Sequence, residues 1–261
     1  MIRFEGLSHD VEPGAQALCE VDFAIGHGEN VVLLGANGSG KSTLLKIVNG
    51  LVFPTQGRYH YDGEIVTEQR LKDGAFNRRF RQEVGLLFQN PDTMLFNPTV
   101  FDEIAFGLRQ LLHKEDAAID DRVHHWARVV GVEAFLDKPP FRLSGGEKQK
   151  VCLAALLALE PRVLLLDEPT ASLDPRSTGW LVDLLQELAI TTIVTTHNLS
   201  MAPELGERAL VLGEDHRLLY DGPIEAFLKD REKLVAANLV HSHRHRHGDT
   251  AHRHFHIHDW E

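Results

Sequence analysis

Residues 35–43, with the sequence GANGSGKST, fit the pattern G-x-x-x-x-G-K-[ST] of a phosphate-binding loop, the P-loop. The apolar run at residues 31–34 predicts a buried strand before the loop. Apolar residues at helical spacing after the loop predict a helix that ends near Asn49 and Gly50. A glycine-rich turn that matched by chance would not come with this strand and this helix. The sequence therefore predicts a binding site for a nucleoside triphosphate.

Each part of the P-loop has a chemical task. Glycines at 35, 38 and 40 let the backbone turn tightly and direct its N–H groups at phosphate oxygens, and the helix N-terminus adds about half a positive charge. Lys41 can reach the β- and γ-phosphates, and the Ser42 hydroxyl can ligate Mg²⁺. The candidate nucleotide-binding residues are Gly35, Asn37, Gly38, Ser39, Gly40, Lys41, Ser42 and Thr43.

Composition narrows the class of protein. The 261 residues suffice for one large domain, or for one domain with a small appendage. The net charge of −11 argues against nucleic acid as the main partner. The N-terminus does not resemble a signal peptide, and the longest apolar run, residues 151–159, is too short to span a bilayer. We therefore expect any role at a membrane to depend on a partner.

The hydrophobic pattern predicts an α/β fold. Residues 2–7 and 21–25 read as strands, and Asp62-Gly63 predicts a two-residue hairpin turn. From Pro91 to about Leu159 the pattern is helical. We expect a P-loop core with an antiparallel β lobe and an inserted helical lobe at about residues 90–160.

Polar residues follow three further apolar strands. Gln89 follows residues 84–88, Asp167 and Glu168 end residues 163–168, and His197 follows residues 193–196. Open α/β sheets place their sites at the carboxyl ends of strands. Asp167 can hold Mg²⁺ through water and Glu168 can orient and polarise an attacking water. The alternative interpretation is a pair of solvated acids and a structural histidine.

Taken in order, these motifs resemble the ATP-binding subunit of ABC transporters over nearly all of residues 1–230. In order they are Walker A at 35–43, the Q-loop residue Gln89, the signature at 143–147, Walker B at 163–167 with Glu168, the D-loop at 172–174 and the switch histidine His197. The resemblance implies ATP and Mg²⁺ as cofactors, with Ser42, Gln89 and Asp167 at the Mg²⁺. The absence of the guanine-reading pattern N-K-x-D also favours ATP. Glu168, His197, Gln89 and Lys41 would be catalytic.

The resemblance also implies a head-to-tail sandwich of two ATPase subunits. Ser144, Gly145 and Gly146 of one subunit would cover the γ-phosphate on Walker A of the other, with Asp174 in the D-loop. The fifth signature position, often Gln, is Glu147 here. His9 is the candidate for stacking on adenine.

Residues 88–92, 95–100 and 102–107 resemble those of energy-coupling-factor importers, most of all the cobalt and nickel branch. That resemblance implies integral membrane subunits as partners and a peripheral position on the cytoplasmic face of the membrane. Residues 92–96, just after the Q-loop, are the candidate contact with those subunits. A vitamin or other micronutrient importer is the alternative, and a soluble ABC ATPase without a transport role is a further one.

The C-terminal residues 241–261 form a histidine-rich tail, separate from the ATPase domain at 1–240. Its histidines are His241, His243, His245, His247, His252, His254, His256 and His258. We expect a disordered tail because the segment has no apolar face. Imidazole clusters suit Ni²⁺, Co²⁺, Cu²⁺ and Zn²⁺, so the tail is a candidate metal-binding segment, with Ni²⁺ or Co²⁺ as the expected metal. A low-complexity tail without function and a cloning artefact are the alternatives, and the interleaved arginines argue against a simple affinity tag.

Overall fold

The computed structural model describes residues 1–112, 116–171, 173–247 and 250–257. Its strands are β1 (Ile2–Glu12), β2 (Ala15–Ile25), β3 (Asn30–Gly35), β4 (Gln56–Tyr61), β5 (Glu64–Ile65), β6 (Val84–Leu87), β7 (Val163–Asp167), β8 (Thr191–Thr195), β9 (Arg208–Leu212), β10 (Leu218–Pro223), β11 (Val240–His247) and β12 (Thr250–Ile257). Its α-helices are α1 (Lys41–Val48), α2 (Gly74–Glu83), α3 (Val100–Gly107), α4 (Asp116–Val129), α5 (Gly145–Leu157), α6 (Pro175–Glu187), α7 (Ala202–Leu205), α8 (Ile224–Lys229) and α9 (Arg231–Ala236). The chain divides into two compact units, Met1–Val66 with Val194–Glu261, and Thr67–Ile193.

The first unit contains an antiparallel sheet in the order β2-β1-β4-β5. Phe4 of β1 pairs with Phe23 of β2 and with Tyr59 of β4, and all three rings are buried. The alternation of apolar and polar residues places these rings on one face of the sheet. Asp62 and Gly63 both have positive φ, as a two-residue hairpin between β4 and β5 requires. The predicted antiparallel lobe is therefore confirmed.

The same unit contains the strand that leads into the P-loop. β3 is buried on both faces and pairs in parallel with β9, which pairs antiparallel with β10. A strand buried on both faces needs a continuous apolar run, which residues 31–34 supply. Helix α1 follows, and Gly50 at φ 66 donates its N–H to the Ile47 carbonyl, which ends the helix.

The second unit contains the predicted helical segment. Helices α3, α4 and α5 share one hydrophobic core, with Ile104, Val123 and Val151 fully buried in it. β6 and β7 pair in parallel with Leu87 opposite Leu166. Helix α2 was not predicted, because within it only Phe76 and Phe80 are buried and its apolar signal is correspondingly weak. The chain passes back into the first unit within β8.

The tail forms two strands, β11 and β12, where a disordered segment was expected. The backbone of β11 pairs antiparallel with that of β12, with His243 opposite His254. Backbone pairing satisfies N–H and C=O groups without an apolar face, and a repeat of two residues is also the period of a strand. His258 lies outside the described residues, as does Ser172 of the D-loop.

In the described part of the chain, no helix has both the length and the apolar character needed to cross a membrane.

Candidate nucleotide site

The P-loop backbone adopts conformations that favour glycine. Gly35, Gly38 and Gly40 have φ angles of 148°, 82° and 107°. A Cβ at Gly35 would come within 2.6 Å of the Leu212 carbonyl oxygen, and a Cβ at Gly40 would collide with the Ala17 carbonyl. Torsion therefore favours glycine at all three positions, and at Gly35 and Gly40 the lack of space requires it as well.

Lys41 is the first residue of α1, and only 8% of its surface is exposed. Its Nζ donates to the carbonyl oxygens of Gly35 at 2.7 Å and Ala36 at 3.1 Å. Partial negative charge on these carbonyls offsets part of the cost of burying an ammonium group. The ammonium group thus lies at the start of the loop, where a phosphate oxygen could take the place of one of these carbonyl oxygens as its hydrogen-bond acceptor.

The residues of the loop fit the phosphate chain of a nucleotide. The N-cap of helix α1 is Gly40, which has no side chain to cap the helix, and the first turn contains no acidic residue. The N–H groups of a first helical turn need acceptors, and an anion supplies them. The Ser39 hydroxyl is buried and finds no hydrogen-bond partner among the described residues. Such an orphaned donor is expected where a ligand completes the bonding.

A cavity of about 390 Å³ opens beside the P-loop in the first unit. It is lined by Gly35, Ala36, Asn37, His197, Glu214, Asn238 and Leu239. The structure thus brings His197 to the same cavity as the P-loop. Asn37 and Ser42 are exposed near this end of α1.

Two polar residues that line the cavity, Glu214 and Asn238, were not predicted from the sequence. Glu214 lies in the β9–β10 turn, two residues beyond Leu212, which pairs with Gly35. Asn238 follows α9, and its Nδ2 donates to Glu214 Oε1 at 2.6 Å. The two residues are 24 positions apart, so no local sequence pattern could reveal their contact.

In the second unit, Gln89 and Glu168 occupy matching positions. Each lies two residues beyond the Leu87–Leu166 pair that ends the parallel β6–β7 ladder. Parallel strands bring their carboxyl ends to one edge, so the two residues follow the same end of the ladder. Asp167, the last residue of β7, is half-buried there.

Glu168 has an unusual backbone conformation. Its φ of 48° lies in the left-handed region, which a residue with a long side chain seldom adopts. Strain of this kind persists only where the surroundings impose it, and it is concentrated at functional sites. The Ala171 N–H donates to the Glu168 carbonyl oxygen at 3.2 Å and closes a turn there.

The signature begins helix α5 through a capping box. The Ser144 N–H and hydroxyl both donate to Glu147 Oε2 at 2.7 Å, and Ser144 Oγ accepts from the Glu147 N–H. These bonds hold the pKa of the Glu147 carboxyl below its usual range. Glu147 in place of glutamine therefore serves the helix start. Ser144 and Gly145 are exposed, so a second subunit could reach them.

Asp174 and His9 were both predicted to contact the nucleotide, and in the structure each is hydrogen-bonded to other groups of the chain. Asp174 caps α6 by accepting from the backbone N–H groups of Arg176 and Ser177. The Ser177 hydroxyl also donates to this carboxylate, and that bond lowers its pKa. His9 has its Nδ1 2.8 Å from the Phe53 carbonyl oxygen, so its ring donates to the backbone. Nucleotide contact by Asp174 and adenine stacking by His9 stay predictions.

Comparison with known proteins identifies the family of this chain. Residues 18–171, more than half of the chain, match the family model described as ABC transporter. A putative ABC transporter ATP-binding protein of Methanosarcina acetivorans is 46% identical over 88% of this chain and 86% of its own length. The energy-coupling factor transporter ATP-binding protein EcfA of Methanothermobacter thermautotrophicus is 37% identical over 92% of this chain and 76% of its own.

Solved structures show the same fold. The cbiO1 protein of Clostridium perfringens, part of the ABC transporter complex cbiONQ, superposes with a TM-score of 0.77 at 32% identity, covering 91% of this chain and 94% of that one. A dimeric ATP-binding cassette in a post-hydrolysis state with ADP and Pi also has a TM-score of 0.77, at 27% identity, over 86% of this chain and 99% of that one.

The chain belongs to the ABC transporter ATP-binding family. It is an α/β ATPase cassette of the kind that drives transport.

Proposed function

We propose that this chain is the ATP-hydrolysing subunit of an energy-coupling-factor importer that takes up a divalent transition metal, nickel or cobalt. One observation carries the transport assignment: two exposed aromatic residues, Phe96 and Phe106, pack against each other in the stretch of chain that follows the Q-loop. The cargo assignment draws its support from the C-terminal histidines, and the importer type from the named relatives.

The P-loop and the second unit supply the chemical roles. Bound ATP with Mg²⁺ supplies the phosphoanhydride bond that is cleaved. We assign Lys41 and the P-loop N–H groups to the phosphate chain, and Ser42, Gln89 and Asp167 to Mg²⁺. Glu168 accepts a proton from the attacking water, and His197 acts at the γ-phosphate side of the cavity.

The exposed signature supports a pair of ATPase subunits. The backbone N–H groups at the start of α5 are donors suited to a phosphate, and the Ser144 hydroxyl becomes one if it turns away from Glu147. We assign them to the nucleotide of the partner subunit, so that hydrolysis requires dimerisation. The partner could be a second copy or a related chain.

The aromatic pair supports docking to an integral membrane partner. Phe96 is 68% exposed and Phe106 is 40% exposed, and their rings pack edge to face with centroids 4.9 Å apart. The Glu103 carboxylate is buried and accepts from the N–H groups of Phe96 and Asn97, which holds the segment in place. A fixed, solvent-exposed aromatic pair suits an apolar partner helix. We place the chain on the cytoplasmic face of the membrane through this contact.

The tail supports a metal cargo. The β11–β12 register sets His241, His243 and His245 opposite His256, His254 and His252. Histidine is a common ligand for Ni²⁺ and Co²⁺. Two relatives also point to this class of importer, because one is named EcfA and another belongs to the cbiONQ complex.

Metal uptake in cells tests the proposal. Uptake of ⁶³Ni²⁺ and ⁵⁷Co²⁺ is compared in cells with the gene, without it, and with Phe96→Ala. We expect the deletion to abolish uptake and Phe96→Ala to reduce it severalfold, with less integral protein recovered in pull-downs. Phe141→Ala, which removes another exposed phenylalanine of the second unit, is the matched control. Uptake of both metals unchanged by the deletion would overturn the cargo assignment, and normal recovery of integral partners with Phe96→Ala would overturn the docking site.

A further inference from the structure

Gln149 is a buried polar residue without an assigned role. It lies on α5, five positions after Ser144, and only 7% of its surface is exposed. Its side-chain Nε2 donates a hydrogen bond to the carbonyl oxygen of Pro169. Pro169 is itself buried and immediately follows Glu168. A buried amide is costly unless it is hydrogen-bonded, so this contact holds both partners in place.

The hydrogen bond from Gln149 to Pro169 is made next to a residue with a strained backbone. Glu168 has φ 48°, and the peptide on its carboxyl side leads into Pro169, whose ring restricts its own φ. Fixing the Pro169 carbonyl therefore fixes the direction in which the chain leaves Glu168. The other end of this loop also lies against α5, because a Cβ at Gly146 would be 3.5 Å from Leu173 Cδ2.

The same helix holds the loop after Gln89. Lys148 Nζ forms a 2.7 Å ion pair with Asp92 Oδ1, and the Lys148 side chain is only 16% exposed. The Cys152 thiol donates to the Pro91 carbonyl oxygen, with 3.7 Å between sulfur and oxygen. Burial raises the pKa of this thiol to about 12, so the thiol keeps the proton that it donates. Helix α5 thus contacts both loops that follow the β6–β7 ladder.

We propose that Gln149 is a positioning residue for ATP hydrolysis. Its amide holds the peptide after Glu168 against the helix that begins with the signature. A displacement of α5 therefore moves the chain at Glu168, which links the signature to the hydrolytic carboxylate of the same subunit. This inference rests on the proposed role of Glu168 in hydrolysis and is independent of the cargo.

Steady-state kinetics of the full-length protein test the role. Gln149→Leu keeps the approximate size of the side chain and removes the donor. We expect kcat to fall about tenfold, since small misplacement of a catalytic group is costly, while ATP affinity changes less than about twofold. Gln82→Leu is the matched control, because Gln82 Nε2 donates to the Leu159 carbonyl oxygen at 3.4 Å in the same unit, away from Glu168. We expect its kcat to stay within about twofold of wild type.

The Glu168→Gln background separates positioning from general damage. If Gln149 acts through Glu168, Gln149→Leu should lower the residual rate of Glu168→Gln by less than about twofold, because the two residues work as a unit. An undiminished tenfold loss in that background would overturn the proposal. So would a kcat of Gln149→Leu equal to that of Gln82→Leu.

Gln149→Glu provides a second variant should Gln149→Leu not fold, with folding checked by thermal unfolding. The ionised carboxylate cannot donate to the Pro169 carbonyl, whereas the protonated acid can. Burial raises the pKa of a carboxyl, so protonation is reachable near neutral pH. We expect the kcat of Gln149→Glu relative to wild type to rise as pH falls from 8 to 6. A ratio that stays flat over this range would overturn the proposal.

Discussion

Lys41 Nζ donates a 2.7 Å hydrogen bond to the carbonyl oxygen of Gly35, the last residue of β3. The ammonium group is therefore buried against the strand that precedes its own loop. A phosphate oxygen is a stronger partner for an ammonium than a backbone carbonyl, so nucleotide binding should redirect this side chain.

Lys41→Ala should weaken ATP binding by about 10- to 100-fold, the range expected when hydrogen bonds to a charged group are lost. Titration with a fluorescent ATP analogue measures the change. Lys46→Ala is the control, because Lys46 is exposed in the last turn of the same helix. Equal affinity in the two variants would contradict the assignment of Lys41 to the phosphate chain.

Glu168→Gln should retain ATP binding and lower hydrolysis by about 10²- to 10⁴-fold, the usual contribution of a positioned general base. Glutamine keeps the shape of the side chain but cannot accept the proton. Phosphate release by the purified protein, assembled with its partners, measures the rate. Turnover near that of wild type would remove Glu168 from this role.

Ser144→Arg should leave nucleotide binding by the isolated subunit intact and abolish ATP-driven dimerisation. The bulky cation would occupy the space that the γ-phosphate bound to the opposing subunit must enter when the dimer closes. Sedimentation of the Glu168→Gln, Ser144→Arg double variant with ATP measures assembly while hydrolysis is suppressed.

Ser144 also caps α5, so the loss of the cap needs its own control. Ser144→Ala removes the cap, at a cost of about 1 kcal/mol, without adding bulk. We expect Glu168→Gln, Ser144→Ala to dimerise. Dimers of the arginine variant as abundant as those of Glu168→Gln alone would contradict the sandwich across two subunits.

Deletion of residues 241–261 should abolish stoichiometric binding of Ni²⁺ or Co²⁺ and leave basal ATPase activity nearly unchanged. The deletion retains Asn238 and Leu239, which line the cavity beside the P-loop. Calorimetric titration of the full-length and shortened proteins compares their metal binding. Equal metal binding by both proteins would show that the histidines are not the ligands.

The metal affinity of the tail should also depend on pH. Neutral imidazole is the ligand, and its pKa of about 6.5 places protonation between pH 7 and 5. Metal should therefore be bound near neutral pH and released as the pH falls toward 5. An affinity that does not fall over this interval would argue for ligands other than histidine.

Short-range signals predicted much of the first unit. The hairpin at Asp62 and Gly63 was found because a two-residue turn requires positive φ at both positions, which these residue types tolerate. The capping box at Ser144 and Glu147 has a comparable local signature, S-x-x-E, and could have been predicted in the same way. Helix α2 gave little signal, because two buried phenylalanines are too few to establish a helical period.

The sequence by itself determined the P-loop, the strand before it and the helix after it, because torsion limits and hydrophobic period act between neighbouring residues. Only the tertiary structure decided that Gln149 bonds to Pro169, 20 positions away, and that Asn238 reaches Glu214 beside the P-loop. Such contacts depend on the path of the backbone between the partners. A hydrogen bond forms only when that path brings donor and acceptor to within about 3 Å of each other.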